Sequence, residues 1–255
     1  MPTRSSWTRS AAPLAERSAA SGLPALQERA LVPSWNIHTA HVERLLREEG
    51  AARLGVRDVN VFLFGNLLPD IYVGYMVPVP VARLRDYRET HFADGGAIPS
   101  PNYEAFWERY VVGGGTSATG PVHDLVLGAW AHLVCDSVYN THTRAYIASI
   151  GVKAGDVTRK RKQRDFALFG RSFDISLRPR VTPELMAACA AYPQYSIGEE
   201  DVREAVAVAG HIVDENHAGL ICGVPEYDLL TPEFFAKASA EANATIVAGL
   251  CRLTS

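Results

Sequence analysis

Residues 121–142 read PVHDLVLGAWAHLVCDSVYNTH. Positions 121–140 are too apolar on every side for a surface element, so they form a helix buried all round. His132 and Asp136 lie within it four residues apart, one turn apart on one face. A carboxylate in such surroundings must be paired or must bind a metal, because an isolated buried charge is too costly. His142 follows six residues later, and H-x3-D-x5-H supplies two imidazoles and a carboxylate, ligand types that suit zinc.

A helical pattern extends outward in both directions. Positions 39–53 alternate apolar and charged residues with a helical period that includes Val42, Leu45 and Leu46. A short apolar run at 59–68 closes on Pro69-Asp70. Positions 102–112 form an amphipathic helix, broken by Gly113-Gly114-Gly115. Thr182-Pro183-Glu184 and Thr231-Pro232-Glu233 each read as an N-cap, a proline in the first turn and an early acid. Ser196 with Glu199 resembles a capping box before a helix over 199–219. Alternating strand patterns and internal repeats are absent. The expectation is an all-α chain of seven or eight helices, forming one domain over 34–255. Residues 1–33, rich in Ser, Ala, Arg and Pro, are expected to be a flexible extension or the product of a mis-assigned translation start.

Bulk properties exclude several classes. An apolar content of 47% over 255 residues suffices for one sizeable core. A net charge of −3 exerts no global pull toward nucleic acid or an anionic membrane. Apolar runs fall short of the roughly 18 residues a membrane span needs. The arginines near the start are not followed by an apolar stretch, so no secretory signal is read and a cytoplasmic location is expected. Cys135, Cys189, Cys222 and Cys251 form no C-x-x-C and are expected to be buried apolar residues of a reducing compartment. The segment 151–182 carries the basic run Arg159, Lys160, Arg161, Lys162 and Arg164. It reads either as a solvated loop or as an anion-attracting flap beside a phosphate site.

Further candidate ligands appear in order along the chain. His211 and Glu215 repeat the four-residue spacing on the helix over 199–219. Trp35 and His38, Asp70 in FGNLLPD, and His91 in Thr90-His91-Phe92 precede the central helix. The ordered set Trp35, His38, Asp70, His91, His132, Asp136, His142, His211 and Glu215 resembles the ligand set of the zinc-dependent phospholipase C family, whose relatives are fungal single-strand-specific nucleases. The local wording is similar as well: Trp-x-x-His opening a helix, Phe-Leu-x-Gly-Asn-x-x-Pro-Asp, Thr-His-Phe and H-x3-D-x5-H. The likeness spans about residues 35–219.

The resemblance implies a helical phosphodiester hydrolase with two or three zinc ions. One site would use Asp70, His91, His132 and Asp136, and a second His142, His211 and Glu215. A third would use His38, with Asp136 bridging, and Trp35 only if its amine becomes the chain's N-terminus. Zinc acidifies bound water toward neutrality. Asp136 would bridge, and Asp70 would ligate or take a proton from the attacking water. The ligating histidines must be neutral, so activity is expected to fall below about pH 6. The expected partner is a small phosphodiester or a phospholipid head group, with peripheral membrane contact. His41, His123 and His217 are placed outside the ligand shell.

Four alternatives stay open. A nuclease or nucleotidase with the same metals would stack bases on aromatics such as Trp107, Tyr110 and Tyr139. An HD-type phosphohydrolase would ligate through His123-Asp124. A metal-stabilised structural or lipid-binding module would do no turnover. A plain helical protein would hold no zinc.

Overall fold

The computed structural model describes residues 35–74, 76–113 and 120–253. Among these residues there are nine α-helices and no strand; one isolated bridge joins Ala93 and Pro101. The helices are α1 (Trp35–Glu49), α2 (Val59–Gly65), α3 (Tyr87–His91), α4 (Tyr103–Phe106), α5 (Pro121–Ser149), α6 (Asp156–Gly170), α7 (Pro183–Ala190), α8 (Glu199–Ala218) and α9 (Pro232–Cys251). Two 3-10 turns, Leu68–Val73 and Val81–Arg83, lie between α2 and α3. The expected extension at 1–33 falls outside the described residues. No described helix is long and apolar enough to cross a membrane.

The cap chemistry explains several starts. Thr182 accepts from Leu185 N at 3.1 Å and Thr231 from Phe234 N at 3.2 Å, each followed by a proline. Asp58 caps α2 by accepting from Val61 N at 3.1 Å. The Ser196–Glu199 capping box does not form: Gly198 precedes α8, and no side chain caps it. The helix expected over 102–112 is α-helical only to Phe106, then π-wound over Trp107–Val112, where Gly113 N reaches back to Glu108 O at 2.9 Å. Of the glycines expected to end it, Gly114 and Gly115 lie outside the described residues.

The central helix α5 has 29 residues, longer than the run 121–140 suggests, and spans roughly 44 Å. Its residues from Leu125 to Asn140 are all buried. It packs chiefly against α2 on one side and α9 on the other. The contact with α2 is unusually close because glycines face each other. A Cβ on Gly65 would collide with the Leu125 carbonyl oxygen, and one on Gly128 with the Phe62 carbonyl oxygen.

Two apolar clusters share α1 and α5. One includes Trp35, Val42, Phe62, Leu133 and Val134; the other includes Ile37, Cys135, Tyr139, Phe166 and Phe235. His38 and Asp136 sit on the same two helices, fully buried, on the seam between them.

The basic segment is the clearest departure from expectation. Residues 156–170 form α6, not a loop. Its inward face carries Thr158, Lys162, Asp165, Phe166 and Phe169, spaced by the helical period. Two charged residues in that stripe disguise it as polar sequence. Asp165 is fully buried because it accepts three successive backbone amides, Asp228 N, Leu229 N and Leu230 N, at 2.7–2.8 Å. The cysteines also differ from expectation. Cys135 and Cys189 are buried, whereas Cys222 is exposed and Cys251 partly so, since they lie at or beyond helix ends; all four are free thiols.

The glycine contact is testable. Gly128→Ala should lower stability by about 2–3 kcal/mol, because a backbone carbonyl must move to admit the methyl group. Denaturant unfolding measures it. A midpoint within error of wild type would mean that α2 is not held this close to α5.

Candidate metal centre

Five side chains from four segments meet at the seam. His38 comes from α1, Asp70 from the 3-10 turn Leu68–Val73, His91 from the last residue of α3, and His132 and Asp136 from α5. Each is at most 1% exposed. Two overlapping groups, His38 with Asp70 and His132, and His91 with His132 and Asp136, bring one ligand atom per residue within 4.8 Å of one another.

The local structure explains each placement. Pro69 in the first turn after α2 sets Asp70 into the 3-10 segment. The side chain of Asn66 donates to the Gly128 carbonyl at 3.2 Å, which pins α2's end to α5. Asn66's own carbonyl then lies 2.8 Å from His132 Nδ1. A carbonyl only accepts, so Nδ1 of His132 carries the proton and Nε2 presents a bare lone pair inward. α3 is capped by Asp86 and ends where Phe92 turns left-handed, φ 53°. His91 Nδ1 lies 2.8 Å from Thr90 Oγ1, whose own proton goes to the Tyr87 carbonyl at 3.3 Å. Thr90 is then the acceptor, and His91 Nε2 is also bare.

The two bare nitrogens face each other at 3.1 Å. Lone pair against lone pair repels unless a cation lies between them. The carboxylates complete the cage. Asp70 Oδ1 is 3.5 Å from His91 Nε2, and Asp70 Oδ2 is 3.9 Å from His132 Nε2. Asp136 Oδ2 is 3.7 Å from His91 Nε2 and 3.6 Å from His132 Nε2. Tetrahedral zinc with bonds of about 2.0–2.1 Å separates its ligand atoms by about 3.3 Å. The donor set and spacing therefore fit a divalent cation held by His91, His132 and Asp136, with Asp70 reaching the neighbouring group of His38 and His132. On the other side of Asp136, Oδ1 lies 3.3 Å from His38 Nε2, and the His38 and His132 rings stack at 3.9 Å. Asp70 Oδ1 and Asp136 Oδ1, both buried, accept no hydrogen bond among the described residues.

Electrostatics point the same way. Burial lowers His91 and His132 to about 4, so both are neutral at pH 7 and competent to ligate. Burial raises the Asp136 carboxyl, the Asp70 charge adds to the rise, and His132 and His91 oppose it. Buried carboxylates flanked by neutral imidazoles leave negative charge for a cation to balance.

Three expected ligands are not brought to this centre. Six residues after Asp136, His142 has turned about 240° around α5 and pairs with Glu241 at 2.9 Å. His211 and Glu215 pair with each other at 3.3 Å on the exposed side of α8, both more than half exposed. The buried face of α8 is instead Val202, Ala205, Ala209, Val213 and Asn216. Among the described residues, the second zinc site expected from His142, His211 and Glu215 is not assembled. Trp35 is also used differently: its indole Nε1 donates to Asp70 Oδ2 at 3.2 Å, fixing the carboxylate.

The histidines set aside sit elsewhere. His41 is a satisfied core residue, 2.7 Å from Asn243 Oδ1 and 3.1 Å from the Tyr139 hydroxyl. His217 faces Asp174 at the surface. The His123-Asp124 dipeptide is structural: Asp124 accepts from Arg57 N and Asp58 N at the start of α2, and no candidate ligand group includes either residue.

Tyr87 was missed from the sequence. Its hydroxyl donates to Asp136 Oδ2 at 3.0 Å, and its ring stacks on His91 at 3.8 Å. The available signal was the spacing Tyr87-x3-His91, which puts both on one face of a helix.

The buried imidazoles set the acid sensitivity of the metal-free protein. His41, His91 and His132 each fall from 6.5 to about 4, so the unfolded chain binds these three protons before the folded one does. Stability is therefore full above about pH 6.5 and is lost as pH falls toward 4. Asp136, raised in the fold, works in the opposite direction. The net is roughly two protons, or on the order of 2–3 kcal/mol per pH unit. Urea midpoints of chelator-treated protein between pH 4.5 and 6.5 should climb with pH, and a flat profile would contradict the burial of these rings as neutral groups.

Comparison with known proteins finds no family model, no curated protein and no solved structure that matches this chain.

Proposed function

We propose that the chain is a metal-dependent phosphodiester hydrolase, with zinc among Asp70, His91, His132 and Asp136. The observation that carries the metal is the pair of bare imidazole nitrogens 3.1 Å apart between two buried carboxylates. Zinc is favoured by the mixture of imidazole and carboxylate at tetrahedral spacing. The phosphodiester rests on the ordered likeness of Trp35, His38, Asp70, His91, His132 and Asp136 to the zinc-dependent phospholipase C pattern.

A cation bound there supplies Lewis acidity, which acidifies water and offsets charge on phosphoryl oxygens. The chain's own groups do the rest. His91 and His132 are held as neutral donors by Thr90 and the Asn66 carbonyl. Tyr87 fixes Asp136 through Oδ2, leaving Oδ1 toward His38 for a second ion. Asp70, steadied by Trp35, keeps Oδ1 available to take a proton from the attacking water. The substrate would be a small phosphodiester or a phospholipid head group met at a membrane surface.

The complete burial of the five ligands favours one second reading, a closed metal site that stabilises the fold without turnover. Elemental analysis beside a phosphodiesterase assay separates the two. The hydrolase reading expects one or two zinc ions per chain and cleavage of bis(p-nitrophenyl) phosphate or p-nitrophenylphosphorylcholine; single-stranded DNA in the same panel tests the nuclease variant. Metal with no hydrolysis of any of these supports the structural reading, and no metal at all sinks both. Asp136→Asn should lose metal and cut the rate by at least about a hundredfold, the upper end of what removing a group that merely orients a ligand costs. His211→Ala should leave both near wild type.

A further inference from the structure

Positive charge is spread unevenly along a chain whose net charge is −3. Lys153, Arg159, Lys160, Arg161 and Arg164 reach the surface on α6 or just before it, while Lys162 in the same run is buried. Carboxylates in ion pairs with this group are fewer than its cations. Asp156 is shared by Arg159 and Lys160, and Asp228 takes Arg161. Among the described residues, Lys153 and Arg164 form no ion pair. The face therefore carries a local excess of positive charge on an acidic protein.

The helix separates its residues by side. Thr158, Lys162, Asp165, Phe166 and Phe169 turn inward. Val157, Lys160, Arg161 and Arg164 recur at three- and four-residue intervals and share another side. The chain leading into the helix is exposed from Lys153 to Val157. Thr158 Oγ1 donates to the Lys153 carbonyl at 2.7 Å, which folds Lys153 back beside the first turn. Two large apolar side chains accompany the cations: Val157 is 74% exposed, and Ile150, at the end of α5, is 46% exposed. A lone exposed valine is ordinary. Val157 differs because it shares a turn with Lys160 and Arg161.

We propose that this face docks the protein on an anionic phospholipid surface, with the cations pairing to lipid head groups and Val157 and Ile150 entering the head-group boundary. Clusters of about four to eight Lys/Arg on a helix are drawn to anionic lipid, each adding to the attraction. Apolar side chains beside them add a contact that salt does not screen. Nucleic acid offers similar phosphates but draws on aromatic stacking. The aromatic residues of α6, Phe166 and Phe169, are both buried in the core. A net charge of −3 then orients the protein, since the basic face is attracted while the acidic remainder is repelled. The inference deepens the phospholipid reading of the proposed function, and docking is measured without turnover.

Flotation of the full chain with phosphatidylcholine vesicles, with and without phosphatidylserine, is the test. Wild type should float with the phosphatidylserine vesicles, stay behind with phosphatidylcholine alone, and bind less as salt rises. Lys160→Gln combined with Arg164→Gln removes two exposed charges and should weaken binding at least about tenfold. Val157→Ser should weaken it as well, and the loss should persist at high salt. These side chains face solvent, so the circular dichroism of each variant should match wild type. Arg203→Gln, which removes an exposed cation of α8, should change nothing. Docking that needs Lys160, Arg164 and Val157 in a protein that cleaves no phosphodiester keeps the face and discards the hydrolase. Hydrolysis of soluble esters by a protein that no vesicle retains does the reverse. Tighter binding to single-stranded DNA, indifferent to Val157, overturns the lipid assignment. Vesicle binding unchanged in both variants overturns it too.

Discussion

The candidate metal centre depends on how near α2 comes to α5. Two glycines, Gly65 and Gly128, let the backbones approach until the end of α2 can hydrogen bond to the central helix. That proximity delivers the Asn66 carbonyl to His132 Nδ1. The carbonyl dictates which nitrogen holds the proton, and so which nitrogen is left to bind. A backbone packing constraint therefore sets the chemistry of a side chain four residues or more away from either glycine. Thr90 does the same for His91 at shorter range.

Burial then turns orientation into function. In water, two neutral imidazoles and two carboxylates at 3–4 Å would be solvated separately. Within an apolar seam, desolvation holds both rings neutral and disfavours the Asp136 charge. Four such groups are costly to bury together, and a cation bound among them would offset that cost. Tyr87 and Trp35 add hydrogen bonds that keep each carboxylate turned the right way.

The helical class and this cluster were legible in the sequence because both leave strong patterns. An apolar run with His132 and Asp136 one turn apart has few explanations other than a buried polar site. Asp70 and His91 were legible only through their order and wording, since a proline-aspartate and a lone histidine have ordinary readings. His142, His211 and Glu215 misled because spacing along a chain fixes neighbours on one helix but not which way that helix faces. His142 lies on the same helix as Asp136 yet points to Glu241. His211 and Glu215 keep the right spacing on the wrong side of α8. The segment 151–182 hid its helix because Lys162 and Asp165 occupy inward positions where apolar residues were sought. Asp165 is made tolerable there by three backbone amides from distant residues 228–230, which no local pattern announces.

All five inward-facing side chains of the cluster lie between residues 38 and 136, ahead of α6 to α9 in the chain. Translation thus produces the whole cluster before any residue of α6 to α9. A cation captured at that stage would staple α1, the Asp70 turn, α3 and α5 while the remainder is still on the ribosome. The later helices would then close over a centre already formed, and the finished protein would exchange its ion slowly.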